Sequence, residues 1–268
     1  MGEPKELALR YPQSCPFCSI AAAYRYAASA ASPSPAAKQP QRQDESARSR
    51  AGQNITAAAA AAASSSSLLA SIPSSPSAID PAKVSPAAYV VLSAPRVLAF
   101  LDIMPMTRGH LLVTTRRHRR KVEELVGGGG SIKGEDGDEN GEEGECKGEV
   151  GGDEDEDEEG EEGRDIGFWL PLLAKTVATV IGVPDYNIVQ NNGIRAAQVV
   201  PHVHFHIIPR PASLPALQNK SWTMFGRGSR EDLDDDEAAA LAARMRNTLR
   251  VEVEALARRK GRRARGRL

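Results

Sequence analysis

The chain has 268 residues and a formal net charge of −1, and only 4% of its residues are aromatic. No apolar run approaches the roughly 18 residues of a membrane-spanning helix, so no membrane partner is expected. Its three cysteines, two of them in one C-x-x-C motif, do not form a disulfide framework and suit a reducing compartment, so we expect a cytoplasmic or nuclear protein.

Two stretches have compositions that do not build a hydrophobic core. The Ala/Ser/Pro-rich residues from about 28 to 83 and the Gly/Asp/Glu-rich residues 127–163 are expected to be disordered inserts. The remaining segments predict one domain over residues 10–210. A C-terminal segment, 211–268, is predicted to contain a loop, a helix and a basic tail. The acidic insert and the basic tail together hide a strong charge asymmetry behind a net charge near zero.

The first motif is Cys15-Pro16-Phe17-Cys18. A C-x-x-C pair lets two thiolates reach one tetrahedral zinc ion, which is half of a site. A redox pair is the second interpretation, although no thioredoxin-like βαβ pattern surrounds the motif. Two functionally unrelated cysteines are the third.

Hydrophobic patterning predicts five strands and two long helices. The strands are expected at residues 88–92, 97–102, 110–115, 186–190 and 202–208, and the helices at 168–181 and 237–259. Pro171 would then lie in the first turn of its helix, where proline is tolerated.

Two basic segments raise the question of nucleic acid. Residues 116–121, around His118, indicate either a nucleic-acid patch or a solvated entry to a helical turn. The tail at 258–267 indicates a nuclear address, a weak nucleic-acid contact, or a disordered end that folds back on the acidic insert. Nucleic acid is not the expected partner, although the tail leaves it open.

Three of the five histidines, His202, His204 and His206, occupy alternate positions late in the chain. In a strand they would line one face, opposite Val203, Phe205 and Ile207. A lone histidine on a strand usually carries no chemistry, but strict alternation of three favours a functional site. His-x-His is also a common metal-binding pair.

The histidine stretch, together with residues 190–193, Gln198, 100–103 and 109–113, resembles the histidine triad (HIT) family. The resemblance is greatest to the Hint branch of nucleoside phosphoramidases, and then to the dinucleoside polyphosphate hydrolases. It implies an α+β fold with an antiparallel sheet and packed helices, and a homodimer that acts on a purine nucleotide.

The resemblance also implies residue roles. The triad is catalytic, with His204 as the nucleophile that attacks the α-phosphate and His206 holding the phosphate oxygens with backbone amides after Gln198. Asp102 would accept hydrogen bonds from the ribose hydroxyls. The other substrate contacts implied are Phe100, Ile103 and Leu111 at the base and ribose, and His110 and Asn191 at the phosphate or leaving group. Val199 stands where relatives often carry serine, so no hydroxyl there assists the leaving group.

The proposed chemistry suits imidazole. With an ordinary pKa near ~6.5, a neutral nucleophile and a protonated neighbour coexist at pH 7. A covalent intermediate divides one displacement into two easier steps. Zinc-bearing relatives also join a C-x-x-C pair to two histidines, which implies a structural zinc ion held here by Cys15, Cys18, His118 and His202.

Four other functions remain open. Within the family, the protein would be a dinucleoside polyphosphate hydrolase or a nucleotidyltransferase. From other classes, it would be an enzyme with a catalytic metal chelated by all three triad histidines, or a nucleotide-binding scaffold without turnover.

Overall fold

The computed structural model describes residues 15–26, 66–126, 160–212 and 233–265. The helices are α1 (Pro16–Ala23), α2 (Pro76–Ile79), α3 (Glu161–Ile181) and α4 (Asp235–Arg265). The strands are β1 (Val90–Ser93), β2 (Val97–Leu101), β3 (Leu111–Thr115), β4 (Tyr186–Gln190) and β5 (His204–Pro209). Short 3-10 helices occupy Pro81–Lys83, Val122–Val126 and Ile194–Ala196.

The five strands form one antiparallel sheet in the order β1-β2-β3-β5-β4. With the packed helices, this confirms the predicted α+β class. The strands lie within about two residues of their predicted positions. In the β3–β5 pair, Thr114 lies opposite His204 and Leu112 opposite His206. His202 precedes β5 instead of forming part of it.

The sheet has a buried cluster on each face. On one face, Ala99, Leu111 and Ile207 belong to a cluster with residues of α3 and α4, which is called the helix-side core below. On the other, Phe100 and Leu112 belong to a cluster with residues of α1. Side chains alternate along a strand, so His204 and His206, opposite Thr114 and Leu112, face the α1 side.

Helix α3 begins seven residues before its predicted start. Glu162 is buried and its carboxylate accepts a hydrogen bond from Arg119 at 2.6 Å, so the end of the predicted insert belongs to the domain. Pro171 therefore lies inside the helix and not in its first turn. It cannot donate to the carbonyl of Gly167 four residues earlier. A Cβ on Gly163 would lie 3.3 Å from the carbonyl oxygen of Leu125, so the two sides of the insert meet here.

The predicted first insert is also too long at its C-terminal side. Residues 66–70 are helical, and Ile72, which is only 3% exposed, belongs to the helix-side core. Arg250 on α4 donates to the carbonyl of Pro73 at 2.8 Å, which secures this segment. The rest of both predicted inserts lies outside the described residues.

Helix α4, in the segment predicted to follow the domain, packs into the same core as the sheet. Leu241, Met245 and Leu249 on α4 have at most 1% of their surface exposed. The carboxylate of Asp234 accepts a hydrogen bond from the amide of Glu237 at 2.8 Å and caps the start of the helix. No helix among the described residues is long and apolar enough to cross a membrane.

Candidate active site and metal centre

His204 is buried between α1 and the neighbouring triad histidine. Its ring packs edge-on against Phe17 of α1, with the centroids 5.1 Å apart, and lies 4.8 Å from the ring of His206. The residue is 5% exposed. Burial is the main cause that lowers the pKa of His204 below its ordinary value, so the ring is neutral at pH 7.

A backbone contact determines which nitrogen of His204 carries the proton. Nδ1 lies 2.6 Å from the carbonyl oxygen of His202. A carbonyl only accepts, so Nδ1–H must donate, and Nε2 of the neutral ring keeps its lone pair. His204 therefore has the form that a nucleophile needs.

His206 belongs to a chain of polar contacts that also contains His110 and Asp102. Its Nδ1 lies 3.0 Å from Nε2 of His110, and Nδ1 of His110 lies 3.2 Å from the carboxylate of Asp102. The amide of Met106 also points at Nδ1 of His110 from 3.2 Å. That amide needs a bare Nδ1, whereas Asp102 needs Nδ1–H. The two partners therefore favour opposite tautomers of the neutral His110 ring.

The four predicted metal ligands come together at the N-terminal end of α1. The Sγ atoms of Cys15 and Cys18 and Nδ1 of both His118 and His202 lie within 4.8 Å of one another. Three sulfur–nitrogen distances are 3.3, 3.4 and 3.6 Å. Tetrahedral zinc bonds of ordinary length place sulfur and nitrogen ligands about 3.5 Å apart, so the donor set fits this ion.

The protonation of His202 supports the same interpretation. Its Nε2 lies 3.0 Å from the carbonyl oxygen of Thr115 and must donate to it, which leaves Nδ1 bare toward the sulfurs. Such an outer contact is typical of metal-bound histidine. The pKa of the Cys15 thiol is lowered to about 2, chiefly by the hydrogen bond with Cys18.

Helix α1 is fastened to the sheet by the half-buried side chain of Arg116. Its guanidinium donates to the carbonyls of Ala21 and Tyr24, at 3.0 and 2.8 Å, where the helix ends. A cation is favourable at this end of a helix. Burial lowers the pKa of Arg116 to about 10, which still leaves it charged at pH 7.

One expected pocket residue lies on the wrong side of the sheet. Leu111 pairs with Ile207 in the helix-side core and has no exposed surface, so it does not contact a ligand beside His204. Its neighbour Leu112 belongs to the α1-side cluster with Phe100 and takes the expected place. The alternation of side chains along the strands predicted two faces of the sheet, but it did not show which face α3 and α4 cover.

Phe17 is a site residue that the sequence analysis missed. It lies between the two cysteines, and its ring contacts those of Phe100, His202 and His204 at 5.1 to 5.7 Å between centroids. An aromatic residue inside a predicted metal knuckle was the signal available. Only the fold brings it to the histidines.

The loop after β4 is held together by Gln198. Its side chain accepts from the amide of Gly193 at 2.6 Å and donates to the carbonyl of Arg120 at 2.7 Å. This side chain therefore shapes the loop from within. Asn191 is also buried, with its amide 3.5 Å from the carbonyl of Ala197. Val199 is 55% exposed.

Ile103 follows β2 directly after Asp102 and is 38% exposed. Its carbonyl accepts from the amide of Leu233 at 2.9 Å, just before α4. The carboxylate of Asp102 accepts from the amide of Met104 at 2.9 Å, which holds the turn next to His110.

The arrangement argues against one metal ion on all three triad histidines. Among the described residues, the possible ligand sets are the cysteine–histidine set that includes His202, and a second set of Asp102, His110 and His206. His204 belongs to neither. The middle imidazole is therefore the one triad ring outside both possible ligand sets.

Comparison with known proteins gives a consistent result. The HIT domain model matches residues 84–132 and 169–213. An adenosine 5'-monophosphoramidase of Schizosaccharomyces pombe is 40% identical over 114 residues, which are 42% of this chain and 58% of that protein. An uncharacterized HIT-like protein of Methanocaldococcus jannaschii is 34% identical over 125 residues, or 46% of this chain and 69% of that protein. The chain therefore spans less than two thirds of the yeast relative.

A structural comparison matches a HIT-like protein from Bartonella henselae. The identity is 20%, the match covers 60% of this chain and 86% of that chain, and the TM-score is 0.41.

Ala197 offers a test of the loop that follows β4. Its φ is +62°, where a Cβ is strained, and the other described residues with such angles are glycines. Ala197→Gly should raise the free energy of unfolding by about 0.5–1 kcal/mol, measured by urea denaturation. Ala196→Gly, in the adjoining 3-10 helix, should lower it instead. Equal signs for the two variants would contradict the loop conformation.

Proposed function

Because the chain belongs to the HIT family, we propose that it is a hydrolase of nucleoside 5'-phosphoramidates that attacks the α-phosphate with His204. The observation that carries this proposal is the bare Nε2 of a buried, neutral His204, whose Nδ1 proton is held by the carbonyl of His202. The yeast relative that is named an adenosine 5'-monophosphoramidase supports the choice of substrate and the purine base.

In the first step, Nε2 of His204 attacks phosphorus and a phosphorus–nitrogen bond forms. The bond between phosphorus and the leaving amine breaks, and its electron pair stays on the amine nitrogen. His206 supplies the proton that the amine needs. The carbonyl of His202 stabilises the positive charge that develops on the His204 ring.

In the second step, water attacks the nucleotidyl group. An oxygen–phosphorus bond forms, the bond to Nε2 breaks, and the nucleoside monophosphate leaves. The proton released by water returns to His206, whose Nδ1 contacts Nε2 of His110 at 3.0 Å. The sum of the two steps is hydrolysis, and both histidines return to their starting states.

The substrate pocket of this proposal is built on the α1 face. Phe17, Phe100 and Leu112 form an apolar surface beside the histidines that suits a purine and its ribose. Asp102 lies next to His110 and is 8% exposed, so its carboxylate would meet the ribose hydroxyls in a nearly dry setting. Because Val199 has no hydroxyl, assistance to the leaving amine would come from the histidines.

The nucleophile is tested by His204→Ala. Turnover of adenosine 5'-phosphoramidate should fall at least about a thousandfold while nucleotide binding persists, because the pocket walls are unchanged. Quenched mass spectrometry should find an adenylyl adduct in the wild type and none in the variant. Turnover by the variant would refute the proposal. A parallel assay with diadenosine polyphosphates as substrates distinguishes phosphoramidate hydrolysis from the alternative, dinucleoside polyphosphate hydrolysis.

A structural zinc ion is the cofactor that we infer, held by Cys15, Cys18, His118 and His202. All four positions are protein ligands, so the ion would tie α1 to the sheet without taking part in the reaction. Both thiols are free, which suits the reducing conditions of the cytoplasm or nucleus.

The double variant Cys15→Ser, Cys18→Ser tests the ion. Metal analysis should find about one zinc per wild-type chain and none in the variant, whose stability should fall by about 3 kcal/mol or more. Cys146→Ser, outside the ligand set, is the control and should change neither quantity. A wild-type protein without zinc would exclude the site.

A homodimer through β4 completes the proposal. Among the described strands, β4 forms one edge of the sheet, and its Tyr186 and Ile188 are 40% and 44% exposed. Ile188 pairs with Ile207, so it extends the helix-side core to the edge. A second copy paired along this edge would cover it.

Ile188→Lys tests the dimer, since a charge pointing inward from an edge strand opposes pairing. Sedimentation should give twice the chain mass for the wild type and the chain mass for the variant. Val251→Lys changes a more exposed apolar residue, on α4, and should remain dimeric. A wild-type protein with the mass of one chain would contradict the proposal.

A further inference from the structure

A groove of about 640 Å³ lies between residues 76–81 and α4. Its lining contains none of the histidines or cysteines described above. Apart from Tyr89, its lining residues also lie outside the two stretches that the HIT domain model matches.

The walls of the groove are apolar. One wall contains Pro76, Ile79 and Pro81, and the other contains Ala239, Ala242 and Ala243. The alanines occupy one face of α4, since residues three and four apart are neighbours on a helix. Arg246 follows on the same face, one turn further along.

Arg246 is a buried cation with no acidic partner among the described residues. It is 7% exposed, and its Nη1 donates to the carbonyl of Val90 at 2.7 Å. Within the part of the chain that the structure describes, no carboxylate lies within 4.0 Å of this guanidinium. Among the described residues, Nη1 is the one nitrogen of this guanidinium with a hydrogen-bond partner, and the side chain lines the groove.

A buried charge of this kind is costly until an anion meets it. Burial lowers the pKa of Arg246, and the neighbouring charge of Arg250 lowers it further. Both effects reflect the free energy that is needed to keep this buried guanidinium charged. A guanidinium presents a planar fork of donors that matches a carboxylate with two parallel hydrogen bonds.

The other polar residues at the groove limit the charge of a ligand. Asp80 is exposed at the rim, and one of its oxygens already accepts from the amide of Ala82 at 3.1 Å. Its negative charge opposes a dianion. The hydroxyl of Tyr89 donates to Asp235 at 2.6 Å and is therefore engaged.

We propose that this groove binds a small monocarboxylate whose apolar body lies along the proline and alanine walls and whose carboxylate pairs with Arg246. The volume falls within the range of about 300–1,000 Å³ that is usual for small-molecule sites. This site is separate from the proposed hydrolase, so either one stands if the other fails.

The test uses the full chain and two probes, benzoate and hexanoate, with benzamide and hexanamide as uncharged analogues of the same shape. Binding is followed by nitrogen–proton NMR of the arginine side chains. The carboxylates should shift the Nε–H signal of Arg246 saturably, and the amides should bind about tenfold more weakly or less. Phenyl phosphate, a dianion, should also bind more weakly than benzoate.

Two variants probe the two halves of the site. Arg246→Met should weaken benzoate binding about tenfold or more by removing the charged fork. Ala243→Leu should do the same by filling the groove, and it leaves Arg246 in place if the first variant does not fold. Ala240→Leu makes the same change at an exposed position on α4 and should bind like the wild type.

Three results would overturn the proposal. They are equal binding of benzoate and benzamide, unchanged binding by Ala243→Leu, and the absence of a saturable shift at probe concentrations up to about 10 mM. Phenyl phosphate that binds as tightly as benzoate would overturn the choice of a monocarboxylate. Adenosine 5'-phosphoramidate turnover, measured on Ala243→Leu, reports independently on the histidine site.

Discussion

The register between β3 and β5 is the constraint on which the histidine site depends. It places His204 opposite Thr114 and His206 opposite Leu112, so both rings face α1. The hydroxyl of Thr114 donates to the carbonyl of Val203 at 2.7 Å and secures the strand at its start. A slip of one residue would turn the imidazoles into the apolar cluster beneath α3 and α4, where burying them unpaired is costly.

His202 is where the two clusters meet. Its ring lies among the cysteines, and its backbone carbonyl holds the proton of His204. Helix α1 makes the same connection from the other side, since it carries Cys18 at the metal set and Phe17 against the nucleophile. The helix and the strand are therefore joined twice, once by the cysteine–histidine set and once by ring packing. The arrangement of the nucleophile and the order of the N-terminal segment are parts of one structure.

Much of the fold could be predicted because strands of alternating or apolar residues carry a local signal. The strand positions and the family are confirmed, and the four predicted metal ligands do converge. The errors concern information that is not local. Periodicity groups Leu111 with one set of side chains and Leu112 with the other, but the position of the helices decides which set faces a ligand. The contribution of Ile72 was missed because the stretch that precedes and surrounds it is rich in alanine, serine and proline. Helix α4 was placed outside the domain because its pattern does not reveal the surface against which it packs.

The meeting of residues 125–126 with 160–163 has a consequence for how this domain can change in evolution. A Cβ on Gly160 would lie 4.0 Å from the carbonyl oxygen of Val126, so the chain leaves and re-enters the domain at nearly the same point. The geometry of the domain thus makes no demand on the length of what lies between. Each doubling of such a loop adds only about 0.6 kcal/mol of closure entropy. Selection can lengthen, shorten or recharge this stretch almost independently of the fold, and the junction is a natural place to carry a cargo sequence.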